Sequence, residues 1–150
     1  MFFYGKMASD GIAVSSLLAR HYPERMSAGA IARKRSMTIT LCSRILGILS
    51  RAGWITGLPG PGGGYTLSRS PEAIRLLDIV QCFEDPRMPD VCPFGPGWCG
   101  NREPCPLHDS VVSLHESAIR FLEETKLDSF AEIPHHSHLQ PDSHLPLDTA

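Results

Sequence analysis

No apolar run in these 150 residues approaches the roughly 20 consecutive positions that a bilayer-spanning helix needs, which excludes a membrane-embedded role. The opening Met1-Phe2-Phe3-Tyr4-Gly5-Lys6 lacks the basic start and long apolar stretch of a secretory signal, so the expected location is the cytoplasm. No nucleophile, base and orienting group stand in a recognisable set, and an enzyme is not expected. Two independent cores are also beyond this length. One domain with appendages is the expected organisation.

Net charge is small, −2, which alone speaks weakly for a nucleic-acid partner. The average conceals an asymmetry. Residues 1 to 75 carry ten Lys/Arg against three acidic residues, a balance of +7, whereas the remainder carries four against thirteen, −9. A basic front half attracts a phosphate backbone and an acidic back half is repelled by one, so the two halves are expected to do different things.

Apolar Ile12, Ala13, Val14, Leu17 and Leu18 suit a one-sided helix from Asp10 to about His21, stopped by Pro23. Ser27 can cap a short helix over 28–33, and Thr38 a longer one to about Ala52, with Gly53 as its C-terminal signal. In that third helix Ile39, Cys42, Leu46 and Leu49 form the expected buried stripe, which leaves Thr40, Ser43, Arg44 and Arg51 largely outside it. Residues 54–58 and 65–68 read as two short strands around a Pro/Gly turn, a hairpin. Helix-turn-helix followed by a hairpin is the order of a winged helix, whose third helix enters the major groove while the hairpin reaches across the backbone.

A further helix is expected after Ser70-Pro71-Glu72, running to about Phe83, then a Pro/Gly/Cys-rich loop from Asp85 to Pro104. A last helix begins at Pro106, where Leu107, Val111, Leu114, Ala118 and Phe121 repeat at four-three spacing. That spacing suits lengthwise packing on a second helix, which a two-fold homodimer would supply; packing on its own domain is the alternative. The fold class expected is mainly α: a winged helix-turn-helix with a β-hairpin wing and a long C-terminal dimerisation helix. Its parts are 8–83 for DNA binding, 84–105 for a cysteine-rich cluster-binding loop, 106–133 for the dimerisation helix and following segment, and 134–150 for a disordered, solvated tail.

Five cysteines in a chain expected to stay in a reducing compartment favour metal or redox chemistry over disulfides. Cys92, Cys99, Cys105 and His108 share a seventeen-residue window, with six, five and two residues between them. The window's glycines allow close backbone approach and its prolines lower the entropy lost on ordering. Thiolates are the usual ligands of iron-sulfur clusters, and an imidazole can replace one. Cys105 and His108 stand at i and i+3 across a helix start, whose positive end would favour an anionic centre. A zinc site of three cysteines and one histidine competes, although only Cys105 and His108 show the short spacing usual for zinc. Cys42 and Cys82 lie on helical patterns and read as buried small apolar side chains.

Gly60-Pro61-Gly62-Gly63-Gly64-Tyr65, Leu77-Asp78-Ile79-Val80 and Cys92…Cys99…Cys105-Pro106-Leu107-His108 together resemble the Rrf-type family of bacterial winged-helix regulators over about residues 8 to 133. The resemblance implies a homodimer on palindromic double-stranded promoter DNA, responding to cluster state, oxidation, nitric oxide or iron supply. It implies Cys92, Cys99 and Cys105 as cluster ligands and His108 as the fourth, which points to 2Fe-2S. Members with 4Fe-4S use an acidic residue near the N-terminus, for which Asp10 is the nearby candidate. Candidate DNA-contacting residues are Ser27, Thr38, Thr40, Ser43, Arg44, Arg51, Gly62, Gly63 and Tyr65, with Arg44 directed at a guanine edge or a phosphate. Pro59 stands where the family often has arginine. The third helix also lacks the acidic and amide residues of the family's iron-sulfur cluster regulator, so a different operator follows. A zinc-bound or metal-free thiol sensor and an iron-sulfur electron-transfer protein are the alternative functions.

Overall fold

The computed structural model describes residues 4–86 and 106–131. Five α-helices and one hairpin follow in order: α1 (Lys6–His21), α2 (Ala28–Lys34), α3 (Ile39–Arg51), β1 (Ile55–Leu58), β2 (Gly64–Leu67), α4 (Leu76–Val80) and α5 (His108–Glu124). Short 3-10 turns at Pro71–Ala73 and Leu127–Phe130 complete it.

The two expected caps form. Ser27 Oγ accepts the Ala30 N–H at 3.2 Å, and Thr38 Oγ1 accepts the Leu41 N–H at 3.2 Å, so each helix starts where a hydroxyl can take an otherwise orphaned donor. Gly53 follows α3 with φ +81°, the left-handed geometry that glycine adopts cheaply. α1 begins at Lys6, four residues before the expected start, because the Glu84 carboxylate reaches back to accept the Gly5 N–H. On the same helix Gly11 lies under the Phe83 ring, so close that a Cβ there would stand 2.3 Å from a ring carbon.

Val14, Leu18, Ile31, Ile45, Leu46, Leu49, Ile55, Ile74, Leu77, Ile79, Leu122 and Leu127 are fully buried and join all five helices and the hairpin in one core. The stripe expected on α3 needs one correction. Cys42, Leu46 and Leu49 are buried, but Ile39 is 52% exposed and Ile45 takes its place. Ile39 is the first residue after the Thr38 cap and so stands at the outer end of the helix, whereas Ile45 shares the inner face with Cys42, Leu46 and Leu49.

The fourth helix is also shorter than the sequence suggests. The chain becomes extended at Ile74 and Arg75, where Leu76 N donates to Thr125 O at 2.9 Å and Leu127 N donates to Ile74 O at 2.9 Å. Pairing with the residues that follow α5 therefore replaces helical bonds there. α4 starts with a one-way cap, in which the Arg75 N–H and guanidinium both donate to the Asp78 carboxylate.

α5 begins at His108 rather than Pro106; residues 106–107 form a turn, with Leu107 at the N-cap. Leu122 is buried, while Leu107, Leu114 and Phe121 are each at least half exposed. The four-three stripe is thus left largely uncovered by its own domain. Among the described residues no helix is long and apolar enough to cross a membrane. Segment 134–150, expected to be a disordered tail, lies outside the described residues, as do Cys92, Cys99 and Cys105.

Candidate functional site

Backbone bonds join the start of α2 to the hairpin, and α3 packs against both. On α3, Thr38, Ile39, Thr40, Ser43, Arg44 and Arg51 are all exposed, opposite the buried face of Cys42, Ile45, Leu46 and Leu49. The Arg51 guanidinium folds back over Gly47 in the last turn of α3, where a cation is favoured by the helix dipole. Ile39 adds a methyl-bearing group to this polar face. Its only signal in the sequence was its place directly after a capping threonine.

Hairpin strands pair antiparallel with Ile55 opposite Leu67 and Leu58 opposite Gly64. Gly63 has no room for a side chain, since a Cβ would stand 2.1 Å from the Leu58 carbonyl oxygen. Gly64 sits at φ +127°, and a Cβ there would stand 2.6 Å from the Met26 carbonyl oxygen. That close approach exists because the hairpin is docked on the chain entering α2. Met26 N donates to Tyr65 O at 2.9 Å and Tyr65 N donates to Met26 O at 2.8 Å. Thr66 Oγ1 adds a bond to Pro23 O at 3.2 Å, and Arg25 Nη1 lies between Thr56 O at 3.4 Å and Gly64 O at 3.2 Å. Ser27, the exposed cap of α2, follows directly and so stands at the root of the wing. Gly62, with φ +73°, is exposed at the tip, whereas Tyr65 is half-buried with its ring against Gly57, so the hairpin presents glycine backbone rather than this ring at its tip.

The helix-turn-helix angle has its own brace. Arg35, after α2, donates from Nη2 to Ser16 Oγ on α1 at 2.8 Å. Burial, with Arg20 nearby, pushes the Arg35 guanidinium below its ordinary range.

The proposed ligands divide. His108 is the half-buried first residue of α5, and Asp10 is buried on α1 in an ion pair with Lys6, its Oδ2 having no hydrogen-bond partner among the described residues. No group of three potential metal ligands forms among the described residues, which include none of the three clustered cysteines. Cys42 and Cys82 are set apart from this chemistry: Cys42 Sγ donates to Ala28 O at 3.5 Å and Cys82 Sγ to Asp78 O at 3.2 Å. Burial pushes both thiols up, which keeps them protonated and unreactive at neutral pH.

A family model described as Rrf2, iron-dependent transcriptional regulator, matches residues 5–133. The chain belongs to the Rrf2 family.

Among its relatives, BadM of Rhodopseudomonas palustris, named as an HTH-type regulator on provisional grounds, is 40% identical over 68 residues, covering 45% of this chain and 44% of BadM. The HTH-type transcriptional regulator IscR of Cereibacter sphaeroides is 27% identical over 81 residues, covering 54% of this chain and 52% of IscR. The matched segments thus span about half the length of these relatives. CymR, the global cysteine regulator of B. subtilis, superposes with a TM-score of 0.71 at 21% identity, covering 87% of this chain and 97% of CymR. At that identity the likeness shows the shared winged-helix fold. This Rrf2 chain therefore has the winged-helix fold, formed by the helix-turn-helix and hairpin just described.

Proposed function

We propose that this Rrf2 protein is a dimeric regulator of a palindromic promoter site whose affinity is set by an iron-sulfur cluster, 2Fe-2S, held by Cys92, Cys99, Cys105 and His108. The carrying observation is the combination, in one Rrf2 chain, of a polar α3 face beside a docked glycine wing and a soft donor set concentrated in seventeen residues. Three thiols and one imidazole suit this group by their chemistry. Asp10 suits it as the alternative fourth ligand: its buried Oδ2 lacks a partner among the described residues, and it stands on the end of α1 that Glu84 and Phe83 grip just before the cysteine segment. When bound, the cluster supplies a centre sensitive to redox state, nitric oxide and iron supply.

The chain's own residues do the rest. Thr38, Thr40, Ser43 and Arg44 face the major groove, with Arg44 directed at a guanine edge or a phosphate and Ile39 available to a thymine methyl. Ser27 and Arg51 meet phosphates, and Gly62 and Gly63 let the wing backbone approach the duplex. The exposed α5 stripe of Leu107, Leu114 and Phe121 pairs with its two-fold mate, and segment 84–105 joins α4 to that helix. Cluster binding in this segment sets how the two DNA-binding heads stand relative to each other, and operator half-site spacing makes affinity sensitive to that placement. The cytoplasm is the proposed location.

Iron, acid-labile sulfide and a visible spectrum on protein purified without oxygen test the centre. Near-equal iron and sulfide with a coloured band is expected; His108→Ala and Asp10→Ala then identify the fourth ligand by which of them bleaches it. Colourless protein carrying zinc or no metal overturns the cluster and leaves the second reading, a zinc-bound or thiol-sensing regulator, which the three clustered thiols favour. If Cys99→Ala removes the chromophore but leaves operator affinity and footprint unchanged, the coupling is wrong.

A further inference from the structure

The wing carries no charge of its own. Between Gly53 and Arg69 there is no Lys, Arg, Asp or Glu, so the hairpin that would lie along a polyanion has nothing in it to neutralise a phosphate. A cation from elsewhere is laid on it. Arg25, exposed in the connection between α1 and α2, places Nη1 between the Thr56 and Gly64 carbonyl oxygens, one on each strand. Both acceptors are neutral, and Arg25 makes no ion pair among the described residues, so its charge is uncompensated. Nε and Nη2 keep donors available, because a guanidinium offers five N–H groups and these two carbonyls engage only Nη1. The residue stands two positions before Ser27, on the side of the domain where the start of α2 and the root of the wing meet.

We infer that Arg25 supplies the wing's missing cation and contacts a DNA phosphate beside the hairpin, bracing the two strands with one nitrogen and binding the backbone with the others. The inference rests on the DNA-binding reading and adds a residue that no wing position provides. It separates two tasks that one wing side chain would otherwise combine: the glycine backbone gives close approach, and a side chain from the neighbouring connection gives charge.

The test uses the full-length protein and a duplex that the wild-type protein selects from a random-sequence pool, with affinity measured across a series of KCl concentrations. Each phosphate neutralised contributes about 0.9 to the slope of log affinity against log salt. Arg25→Gln is expected to lower the magnitude of that slope by about 0.9 per bound protomer and to weaken binding at low salt. Arg25→Lys keeps the charge and is expected to restore the slope. Unfolding midpoints for both variants separate bracing from contact, since a bracing role alone moves the midpoint and leaves the slope in place. An unchanged slope in Arg25→Gln, whatever its stability, overturns the inference while the DNA-binding reading stands. Recovery of no duplex by the wild-type protein overturns that reading, and the inference with it.

Discussion

Replacing Gly64 by alanine tests whether the wing is held by the chain that precedes α2. An L-residue at φ +127° costs about 1–3 kcal/mol in backbone strain. The added Cβ would also stand 2.6 Å from the Met26 carbonyl oxygen, which is backbone and cannot swing aside. Relief requires Met26 and Tyr65 to part, and their two mutual bonds at 2.9 and 2.8 Å contribute about 1 kcal/mol each. With the two bonds parted the cost is therefore about 3–5 kcal/mol, less the backbone strain that the released hairpin relieves. Gly60→Ala is the matched control: φ is +89°, but nothing lies within 4 Å of the new Cβ, so only the strain is incurred. Urea unfolding should show Gly64→Ala less stable than Gly60→Ala by up to about 2 kcal/mol, the share of the two bonds. Amide exchange at Met26 and Tyr65 should accelerate in Gly64→Ala alone. Equal midpoints with both amides still protected would refute the docking argument.

Two other perturbations probe the opposite end of the fold. Burial pushes the Asp78 carboxyl up, but hydrogen bonds from the Arg75 side chain and backbone outweigh this and hold it below its ordinary value. A carboxylate depressed in the folded state stabilises above its unfolded pKa of about 4 and loses that contribution as pH falls through the folded value. Asp78→Asn should thus cost about 1 kcal/mol at neutral pH, as a lost cap does, and should lose less stability on acidification than wild type; parallel curves would show that Asp78 is not the group responsible. On α5, Leu114 and Phe121 are 58% and 57% exposed in the single chain. If they meet a two-fold mate, Phe121→Asp acts twice and should weaken the dimer by at least about 3 kcal/mol, roughly a hundredfold in dissociation constant, read by sedimentation; an unaltered monomer fraction would place the dimer contact elsewhere.

What the sequence disclosed was local. Ser27 and Thr38 announced α2 and α3 because a capping hydroxyl and the amide it serves lie three residues apart, and Gly53 marked the end of α3 for the same kind of reason. The misplaced boundaries have distant causes. The start of α1 depends on Glu84, 79 residues further along, and the break before α4 depends on backbone pairing with residues 125–127. Ile39 and Ile45 both fit an apolar helical stripe; Ile45 is the buried one because it shares the inner face with Cys42, Leu46 and Leu49, while Ile39 stands at the outer end beside the cap. The candidate site followed the same division. The exposed face of α3 was readable from periodicity, whereas Arg25 could not be found, because its importance lies in an approach to carbonyls 31 and 39 residues away.

α1 joins these observations mechanically. Its N-terminal end is gripped by Glu84 and by Phe83 over Gly11, at the point where the chain enters the cysteine segment, and its C-terminal end runs into Pro23, Arg25 and Met26, which hold the wing. A helix of 16 residues spans about 24 Å and does not stretch, so a displacement of its first turn reaches the wing root as a rigid-body movement. Gly11 limits how such a movement can occur. With no side chain between the helix and the Phe83 ring, sliding along the contact meets only backbone, whereas even a methyl group would force the two apart. Tight packing at one end and backbone pairing at the other make the helix a rigid link, within one chain, from the residues just before the cysteine segment to the root of the wing.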